Sequence, residues 1–474
     1  MRHPNLLLAV VNPLSGERSA AAAVHDSFVA SLGAERVIRL DGAIFKDPSG
    51  LKARLQQAAQ SHSARFSRTS PSGGAGGSQA EPLSPGVRRK GTVLVAGGDG
   101  TVAFVMNIVQ DAFATAVGDD DTARGGMDDV DDTLAHLLAT GAASTSGSPD
   151  RVGSPVAERD AAAARADAEE AVPAVAVFPM GTGNDLSFTL GFGLGFTRNH
   201  CCAACVCLPQ DIDAIVDATL AAPMVRFDRW EATVHRVASN TATAGPVIHR
   251  VGFNNYVSLG MDADIARRFD ESRKAWPSMH RLRTMNKLWY GVHGLTATPF
   301  APKFSNKNLA MTIDSTGVAL PSSANNCKAI VITNVLGYSG GVDLWRMKNP
   351  ELVELPRAGA AGGFENRRVP LQPGAVGDGR LEVQTLGGLF HMTFLRSGFV
   401  GADRVGQGST IDVVVSDPDG TNPGIRLQAD GEPLGEFKAP FRIQVRPAPR
   451  GPLYVHCAPS SKAAARSATS SVAY

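Results

Sequence analysis

Residues 93–113 read VLVAGGDGTVAFVMNIVQDAF. Four apolar residues lead into a glycine-rich turn, and apolar side chains then recur at the three- and four-residue spacing of an amphipathic helix. The helical positions are Val102, Val105, Met106, Val109 and Phe113. This stretch predicts a buried strand, a tight turn and a helix whose amino terminus directs a partial positive charge at the turn.

Two similar turns occur elsewhere, so the chain has three glycine motifs. The first is Asn12-Pro13-Leu14-Ser15-Gly16, the second is Gly97-Gly98-Asp99-Gly100-Thr101, and the third is Gly181-Thr182-Gly183-Asn184-Asp185. Each follows an apolar run, and glycine turns at the carboxyl ends of strands are where open α/β sheets bind phosphates. Glycine allows close backbone approach or a positive φ. None of the three is a Walker loop, because the chain lacks Gly-x-x-x-x-Gly-Lys-Ser/Thr.

The pattern of predicted elements changes near residue 222. Alternating strand and helix signals in residues 1–222 predict a doubly wound α/β domain. Residues 223–445 contain short apolar runs separated by Gly, Pro, Asn and Asp, a pattern typical of a β-sandwich. Low-complexity segments at about 67–90 and 118–171 interrupt the first domain, and we expect them to be flexible excursions.

Composition restricts the possible partners and compartments. A net charge of +1 argues against a dedicated nucleic-acid binder. No segment has the roughly 18–20 apolar residues that span a bilayer, so we expect a soluble intracellular protein without a transmembrane segment. Six cysteines fit a reducing compartment. The cluster Cys201, Cys202, Cys205 and Cys207 leaves both a reduced loop and a zinc site open.

The three glycine motifs, in this order, resemble the catalytic domain of the diacylglycerol kinase family. That family belongs to a superfamily shared with sphingosine, ceramide and NAD kinases. Later segments resemble landmarks of the eukaryotic-type accessory domain; they are Asp228-Arg229-Trp230, NNYVSLGMDA at 254–263, NKLWYG at 286–291, DLW at 343–345, DGRLEV at 378–383 and DGEP at 430–433. The resemblance covers residues 5 to about 445, and by comparison both low-complexity segments are insertions.

The resemblance implies a Rossmann-like nucleotide-binding domain followed by a β-sandwich lipid-kinase domain. Residues 446–474 would return to the first domain and end in a disordered tail. The implied reaction transfers the γ-phosphate of ATP to the primary hydroxyl of diacylglycerol and yields phosphatidic acid, with Mg²⁺ as cofactor. The implied nucleotide-binding residues are Asn12, Pro13, Ser15, Gly16, Gly97, Gly98, Asp99, Gly100, Thr101, Gly181, Thr182, Gly183, Asn184 and Asp185.

Two aspartates are candidates for metal binding, each with a structural alternative. A carboxylate beside phosphates repels them unless a cation lies between, so Asp99 would bind Mg²⁺ or the nucleotide, or else cap its own turn. Asp378 matches a position where bacterial relatives hold a structural Mg²⁺. The alternative for Asp378 is an ordinary β-turn with Asp-Gly at its corner.

The acceptor hydroxyl is a poor nucleophile at neutral pH, so a carboxylate base within its reach would help. Asp430-Gly431-Glu432 offers two carboxylates. The resemblance places Glu432 in the base position with Asp430 nearby, whereas spacing alone does not decide between them.

The accessory region also bears on lipid binding. Trp230 and Trp289 are expected in the scaffold. Cations greatly outnumber acids between residues 267 and 307, so this region is either a surface for anionic lipid or an ordinary solvated face; the cations are Arg267, Arg268, Arg273, Lys274, Arg281, Arg283, Lys287, Lys303 and Lys307. The resemblance therefore implies a cytoplasmic protein, peripherally associated with membranes that contain diacylglycerol.

The departures from the family pattern lie in the domain to which the resemblance assigns lipid binding. Leu336-Gly337 stands where the family has Pro-Ser, and Leu434 stands where it has an aromatic residue. The alternatives to a diacylglycerol kinase are a kinase for a sphingoid base or ceramide, and a catalytically inactive lipid-binding regulatory protein.

Overall fold

A computed structural model describes most of the chain. The described residues are 3–15, 18–67, 90–113, 172–181, 183–193, 195–196, 211–237, 244–276, 279, 283–297, 301–359, 363–388, 391, 395, 401–417, 424–459 and 461. Gly16, Thr182, the cysteine cluster at 201–207, Arg281 and the end of the tail lie outside these ranges, as does nearly all of both insertions.

The first sheet contains the strands that precede the glycine motifs. Its members are β1 (Leu6–Val11), β2 (Val37–Arg39), β3 (Thr92–Gly97), β4 (Ala174–Pro179), β5 (Met224–Phe227) and β20 (Leu453–His456). Their order is β2-β1-β3-β4-β20-β5. Neighbouring strands are parallel from β2 to β20, and β5 runs antiparallel to β20 at the edge. The carboxyl ends of β1, β3 and β4 therefore lie at one edge.

Helices cover both faces of this sheet. They are α1 (Arg18–Leu32), α2 (Gly42–Lys46), α3 (Ser49–Ser67), α4 (Asp99–Phe113), α5 (Asp185–Thr189) and α6 (Ile212–Ala221). Alternate residues of a strand point to opposite faces. On β1, Leu8 and Val10 pack with α3 and α4, whereas Ala9 and Val11 pack with α1 and α6. The predicted strand, turn and helix at 93–113 are β3 and α4.

The remaining strands form two antiparallel sheets. They are β6 (Trp230–Val237), β7 (Ala244–Phe253), β8 (Tyr256–Gly260), β9 (Leu309–Ile313), β10 (Thr316–Val318), β11 (Ala329–Thr333), β12 (Glu351–Ala358), β13 (Phe364–Leu371), β14 (Leu381–Leu386), β15 (Asp403–Gly408), β16 (Ile411–Val415), β17 (Ile425–Ala429), β18 (Glu432–Phe437) and β19 (Phe441–Pro447). One sheet has the order β13-β12-β10-β9-β16-β19-β6-β7, and the other has the order β15-β14-β11-β8-β17-β18. The mixed α/β part is thus followed by a β-rich part, as predicted.

The two antiparallel sheets bury one apolar core between them. Trp230 and Ile443 from one sheet meet Ile330 and Val383 from the other in this core, which is how stacked sheets are held together. Two helices, α7 (Met261–Ala275) and α8 (Arg283–Ala297), follow β8. Helix α7 packs against α8 and against the hairpin of β17 and β18.

The chain crosses between the α/β part and the β-rich part at two adjacent places. One crossing joins β5 to β6 through Asp228 and Arg229, and the other joins β19 to β20 through residues 448–452. The Ala448 N–H donates to the Arg229 carbonyl at 2.8 Å, so the crossings run side by side. This arrangement brings the β17–β18 hairpin close to the second glycine motif through Glu432, and it brings the turn at Gly340 and Gly341 close to the third motif through Asp185.

Candidate active site

The second and third glycine motifs touch backbone to backbone. They follow the paired strands β3 and β4, in which Gly97 lies opposite Pro179. A Cβ atom added to Gly181 would lie 2.4 Å from the Cα atom of Gly98, a distance that real Cβ atoms do not reach. Both positions therefore require glycine for mutual approach.

Close approach, not an unusual φ angle, accounts for the glycines. The described glycines of these motifs do not have a left-handed φ; the left-handed residue is Asn184, with φ of 53°. The Asn184 amide closes its own turn, because its Oδ1 accepts from Gly181 N at 2.9 Å and its Nδ2 donates to Gly181 O at 2.8 Å. The structure therefore supports close backbone approach, and not a positive φ, as the reason for glycine at the described positions of these motifs.

The first glycine motif is hydrogen-bonded to the second. Asn12 is buried, and its Nδ2 donates to Thr101 Oγ1 at 2.7 Å. The Gly98 N–H donates to Ser15 Oγ at 3.3 Å. Pro13 lies between these two contacts and is half-buried. All three motifs therefore meet at the amino terminus of α4, where backbone N–H groups favour an anion.

Asp99 does not cap its own turn. Its Oδ2 accepts from the Asp185 N–H at 2.8 Å and its Oδ1 from the Leu186 N–H at 3.3 Å, so it caps the start of α5 in the third motif. Burial raises the pKa of Asp99 to about 7, and the negative charge of Asp185 adds to this effect. A positive charge beside Asp99 would favour its ionised form.

Asp185 connects the third motif to the β-rich part. Its Oδ1 accepts from the N–H groups of Gly340 and Gly341 at 2.8 and 2.7 Å. The Gly337 N–H donates to Thr189 Oγ1 at 3.1 Å, and a Cβ atom on Gly337 would lie 2.9 Å from the Asp185 carbonyl oxygen. Gly337, one of the departures from the family pattern noted above, thus packs against α5 at a place where a Cβ atom has no room.

The two carboxylates of the 430–432 turn have different surroundings. Asp430 has φ of 50°, and its carboxylate accepts three backbone N–H bonds: Oδ2 from Asn254 at 2.8 Å, and Oδ1 from Asn255 at 2.7 Å and Tyr256 at 3.1 Å. Burial raises the pKa of Asp430, and these bonds act in the opposite direction. Asp430 therefore holds the turn in place.

Glu432 is exposed and faces the second glycine motif. A Cβ atom added to Gly100 would lie 3.8 Å from Glu432 Oε1. This carboxylate on β18 therefore lies directly across from the start of α4. The structure brings together Asp99 and Glu432, which are separated by more than 300 residues in the chain. Leu434, on the same strand, packs against the core of the β-rich part.

Asp378 lies beside the junction of the two parts. Its Oδ1 accepts from the Arg380 N–H at 3.0 Å, an ordinary turn contact. Burial raises the pKa of Asp378 to about 7, and the neighbouring Asp228 carboxylate acts in the same direction. Asp228 is itself paired with Arg226 at 2.9 Å. The turn geometry is therefore observed, while the metal role of Asp378 stays a prediction.

The metal-binding side chains do not form a closed cage. Within the described residues, no group of three or more His, Cys, Asp or Glu side chains could hold a metal ion. Mg²⁺ is commonly bound by one or two carboxylates together with substrate phosphates and water. Asp99 lies beside the helix terminus that favours an anion, so its position fits a Mg²⁺ ion that is shared with substrate phosphates. It does not fit a metal site made of protein ligands alone.

A buried arginine at the junction has contacts that the sequence did not reveal. Arg229 donates to Asn254 on one side and to Asn107 and Gln110 of α4 on the other. The available signal was the pair Asn107 and Gln110, two amides three residues apart on a helix that is otherwise largely apolar. Its significance is developed below.

The contact between the glycine motifs gives a direct test. Gly181→Ala should lower the free energy of unfolding by about 1–3 kcal/mol, because the added methyl group overlaps Gly98. Urea denaturation followed by circular dichroism measures this change. Gly50→Ala is the matched control, since a Cβ atom there has no neighbour within 4 Å, and it should cost no stability. Equal stability of the two variants would contradict the backbone contact.

Comparison with known proteins finds similarity to diacylglycerol kinases. A family model described as the diacylglycerol kinase accessory domain matches residues 252–433. Probable diacylglycerol kinase 3 of Caenorhabditis elegans is 27% identical over 295 residues, which cover 61% of this chain and 35% of that protein. Diacylglycerol kinase theta of Mus musculus is 28% identical over 267 residues, covering 55% of this chain and 24% of that protein.

A plant relative and a solved structure complete the comparison. Diacylglycerol kinase 1 of Arabidopsis thaliana is 26% identical over 266 residues, covering 56% of this chain and 31% of that protein. The chain therefore spans about a third or less of the length of these relatives. Yeast NADH kinase, solved with NADH, has a TM-score of 0.38 and 12% identity over 98% of this chain and 86% of its own, a likeness that supports no conclusion. The accessory-domain match and the three relatives thus show that this chain is similar to proteins of the diacylglycerol kinase family.

Proposed function

We propose that this protein is an ATP-dependent kinase that phosphorylates diacylglycerol to phosphatidic acid. The observation that supports this proposal most is the position of Glu432, whose exposed carboxylate faces the helix terminus where three glycine motifs meet. An anion site on one side and a basic group on the other are the two requirements of phosphoryl transfer to a hydroxyl.

On the nucleotide side, the proposal assigns the phosphates of ATP to the three glycine motifs and the amino terminus of α4. The backbone N–H groups there would bind phosphate oxygens, with Asn12 and Ser15 fixing the shape of the turn. Asp99 would hold Mg²⁺, which when bound neutralises phosphate charge. A metal role for Asp378 remains a second, separate proposal.

On the acceptor side, we assign the two carboxylates different tasks. Glu432 would accept the proton of the lipid hydroxyl, since it is exposed and faces Gly100. Asp430 would position Glu432, because its carboxylate already accepts three backbone N–H bonds. The α/β part would then serve as the nucleotide-binding domain, and the β-rich part as the lipid-binding domain.

The substrate assignment can be tested with a lipid panel. Purified protein, radiolabelled ATP and Mg²⁺ should yield labelled phosphatidic acid from 1,2-diacylglycerol in mixed micelles, and no labelled product from sphingosine or ceramide. Thin-layer chromatography identifies the product. Label only in a sphingolipid would favour the alternative lipid kinase, and absence of label from every lipid would favour an inactive lipid-binding protein.

Substitutions of the two carboxylates should have different effects, one on kcat and the other on stability. Glu432→Gln should lower kcat by about 10²-fold or more, because it removes the base, and should leave the melting temperature unchanged. Asp430→Asn keeps a residue that tolerates a left-handed φ. It should lower the unfolding free energy by about 1–3 kcal/mol, since Asn offers one acceptor oxygen where three N–H groups need partners.

Near-normal kcat for Glu432→Gln would remove Glu432 from the base position. Stability of Asp430→Asn equal to that of the wild type would contradict the positioning role of Asp430. Thermal denaturation and steady-state kinetics on the same preparations supply both readings.

We also propose peripheral membrane association of a cytoplasmic protein. Among the described helices, none is both long and apolar enough to cross a bilayer. Of the two interpretations that the sequence left open for this region, the contacts of α7 favour an ordinary solvated face, because its cations pair with Asp264, Asp270 and Glu271 of the same helix; the paired cations are Arg267, Arg268, Arg273 and Lys274. The side chains of Arg283 and Lys287 are outside the described part.

The exposed apolar side chains near α7 and α8 offer a better membrane contact. Trp276 is 63% exposed, Met279 42% and Leu295 59%. Helix α7, which ends one residue before Trp276, packs against β18, the strand that begins with Glu432. Trp276 therefore follows a helix that contacts the strand of the proposed base, and aromatic residues favour the membrane interface.

Vesicle sedimentation tests this surface. Trp276→Ala should weaken binding to vesicles of phosphatidylcholine and diacylglycerol about tenfold, because it removes apolar area that the membrane would bury. Leu352→Ala, at a side chain 66% exposed on β12, should leave binding unchanged and serves as the matched control. Equal vesicle binding of both variants and the wild type would exclude the Trp276 surface.

A further inference from the structure

Arg229 is almost fully enclosed at the junction between the two parts. The exposed fraction of the whole residue is only 5%. Nε donates to Asn254 Oδ1 at 2.9 Å, Nη2 donates to Asn107 Oδ1 at 2.7 Å, and Nη1 donates to Gln110 Oε1. One guanidinium thus joins a helix of the α/β part to a turn of the β-rich part.

On the α/β side, the contact is with the helix that begins at the second glycine motif. Helix α4 starts at Asp99. At 1.5 Å per residue, Asn107 and Gln110 lie about 12 and 16 Å along its axis from that start. Gln110 Nε2 also donates to Gly451 O at 2.8 Å, and Asp111 pairs with Arg450 at 2.6 Å. Both chain crossings therefore hold the distal half of α4.

On the β-rich side, the contact is with the turn that holds Asp430. The Asn254 side chain accepts from Arg229, while the Asn254 N–H donates to Asp430 Oδ2 at 2.8 Å. The Asp430 N–H in turn donates to Tyr256 O at 2.9 Å. Glu432 follows two residues later. A continuous series of hydrogen bonds therefore runs from α4 through Arg229 and Asn254 to the Asp430 turn.

We propose that Arg229 is a positioning residue that sets the distance between the second glycine motif and Glu432. This inference rests on the proposed function, in which phosphate binds at the start of α4 and Glu432 is the base. Arg229 touches neither phosphate nor acceptor. It fixes the position of α4 on one side and of the Asp430 turn on the other, and these two segments carry the groups that would contact phosphate and acceptor.

The geometry requires arginine and not merely a positive charge. A guanidinium presents five donors in a planar fork, so it can reach acceptors on both sides at once. A lysine ammonium is a single point of charge on a flexible stem and cannot bond Asn254, Asn107 and Gln110 from one position. Burial lowers the pKa of Arg229 to about 10, and the negative charge of Asp430 acts in the opposite direction. Both effects would act on a lysine as well.

Kinetics of Arg229→Lys provide the first test. The variant should lose about tenfold or more in kcat toward diacylglycerol, because small misplacement of reacting groups is costly. The KM for ATP should stay within about twofold, since the glycine motifs are untouched. The matched control is Arg357→Lys, another buried arginine, which donates to the carbonyls of Val405 and Pro356. It should lower the melting temperature without lowering kcat.

A double-mutant cycle tests whether the effect passes through Arg229. Asn107→Ala and Asn254→Ala each remove one acceptor from opposite sides of the guanidinium. Each should lower kcat, and the double variant should lose little more than the larger single loss, because both act on one link. Fully additive losses, or a normal kcat for Arg229→Lys, would overturn the proposal.

Hydrogen exchange separates this inference from the proposed function. In Arg229→Met, peptides that contain Asn254, Asn255 and Tyr256 should exchange faster than in the wild type, because the turn loses its support. This measurement needs no lipid substrate. If the wild type phosphorylates no lipid but this exchange increases, the proposed function fails while the link stands. Unchanged exchange at these residues would overturn the link itself.

Discussion

The candidate active site depends on the contact between Gly98 and Gly181. These residues end two neighbouring parallel strands, and a single added methyl group would put a Cβ atom 2.4 Å from the opposing Cα atom. The contact allows Asp99 to reach the backbone of α5, and it allows Asn184 to close its turn. The direction of α4 and of α5 is therefore set by two residues with no side chains.

The acidic residues around this contact mostly serve the backbone. Asp99 holds the start of α5, Asp185 holds the 340–341 turn, and Asp430 holds the turn at 254–256. Each of these carboxylates ties together segments that are distant in sequence. Burial removes solvation from the carboxylates of Asp99 and Asp430 and thereby raises the pKa of each. Glu432 differs because it is exposed, which leaves its oxygens accessible to a substrate.

The sequence allowed prediction of the strands with strong local signals. Apolar runs at 309–313 and 329–333 correspond to β9 and β11, both fully buried. It did not reveal the hairpin of β12 and β13, because FENRRVPL in β13 is mostly exposed and has no apolar alternation. Spacing placed Asp430 and Glu432 at one turn but did not distinguish them. Their different surroundings depend on partners about 175 and 330 residues away in the sequence, which no local pattern encodes.

The two low-complexity segments, which the family resemblance interprets as insertions, illustrate why the three glycine motifs can be far apart in sequence and adjacent in space. The first insertion begins after α3 and returns at the start of β3, and the second begins after α4 and returns at the start of β4. The starts of β3 and β4 lie together, with Thr92 opposite Ala174. A strand of six residues is about 20 Å long, so both insertions return at the edge of the sheet opposite to the glycine motifs. Their length can therefore change without moving the carboxyl edge, because the register of β3 and β4 is fixed by pairing within the sheet.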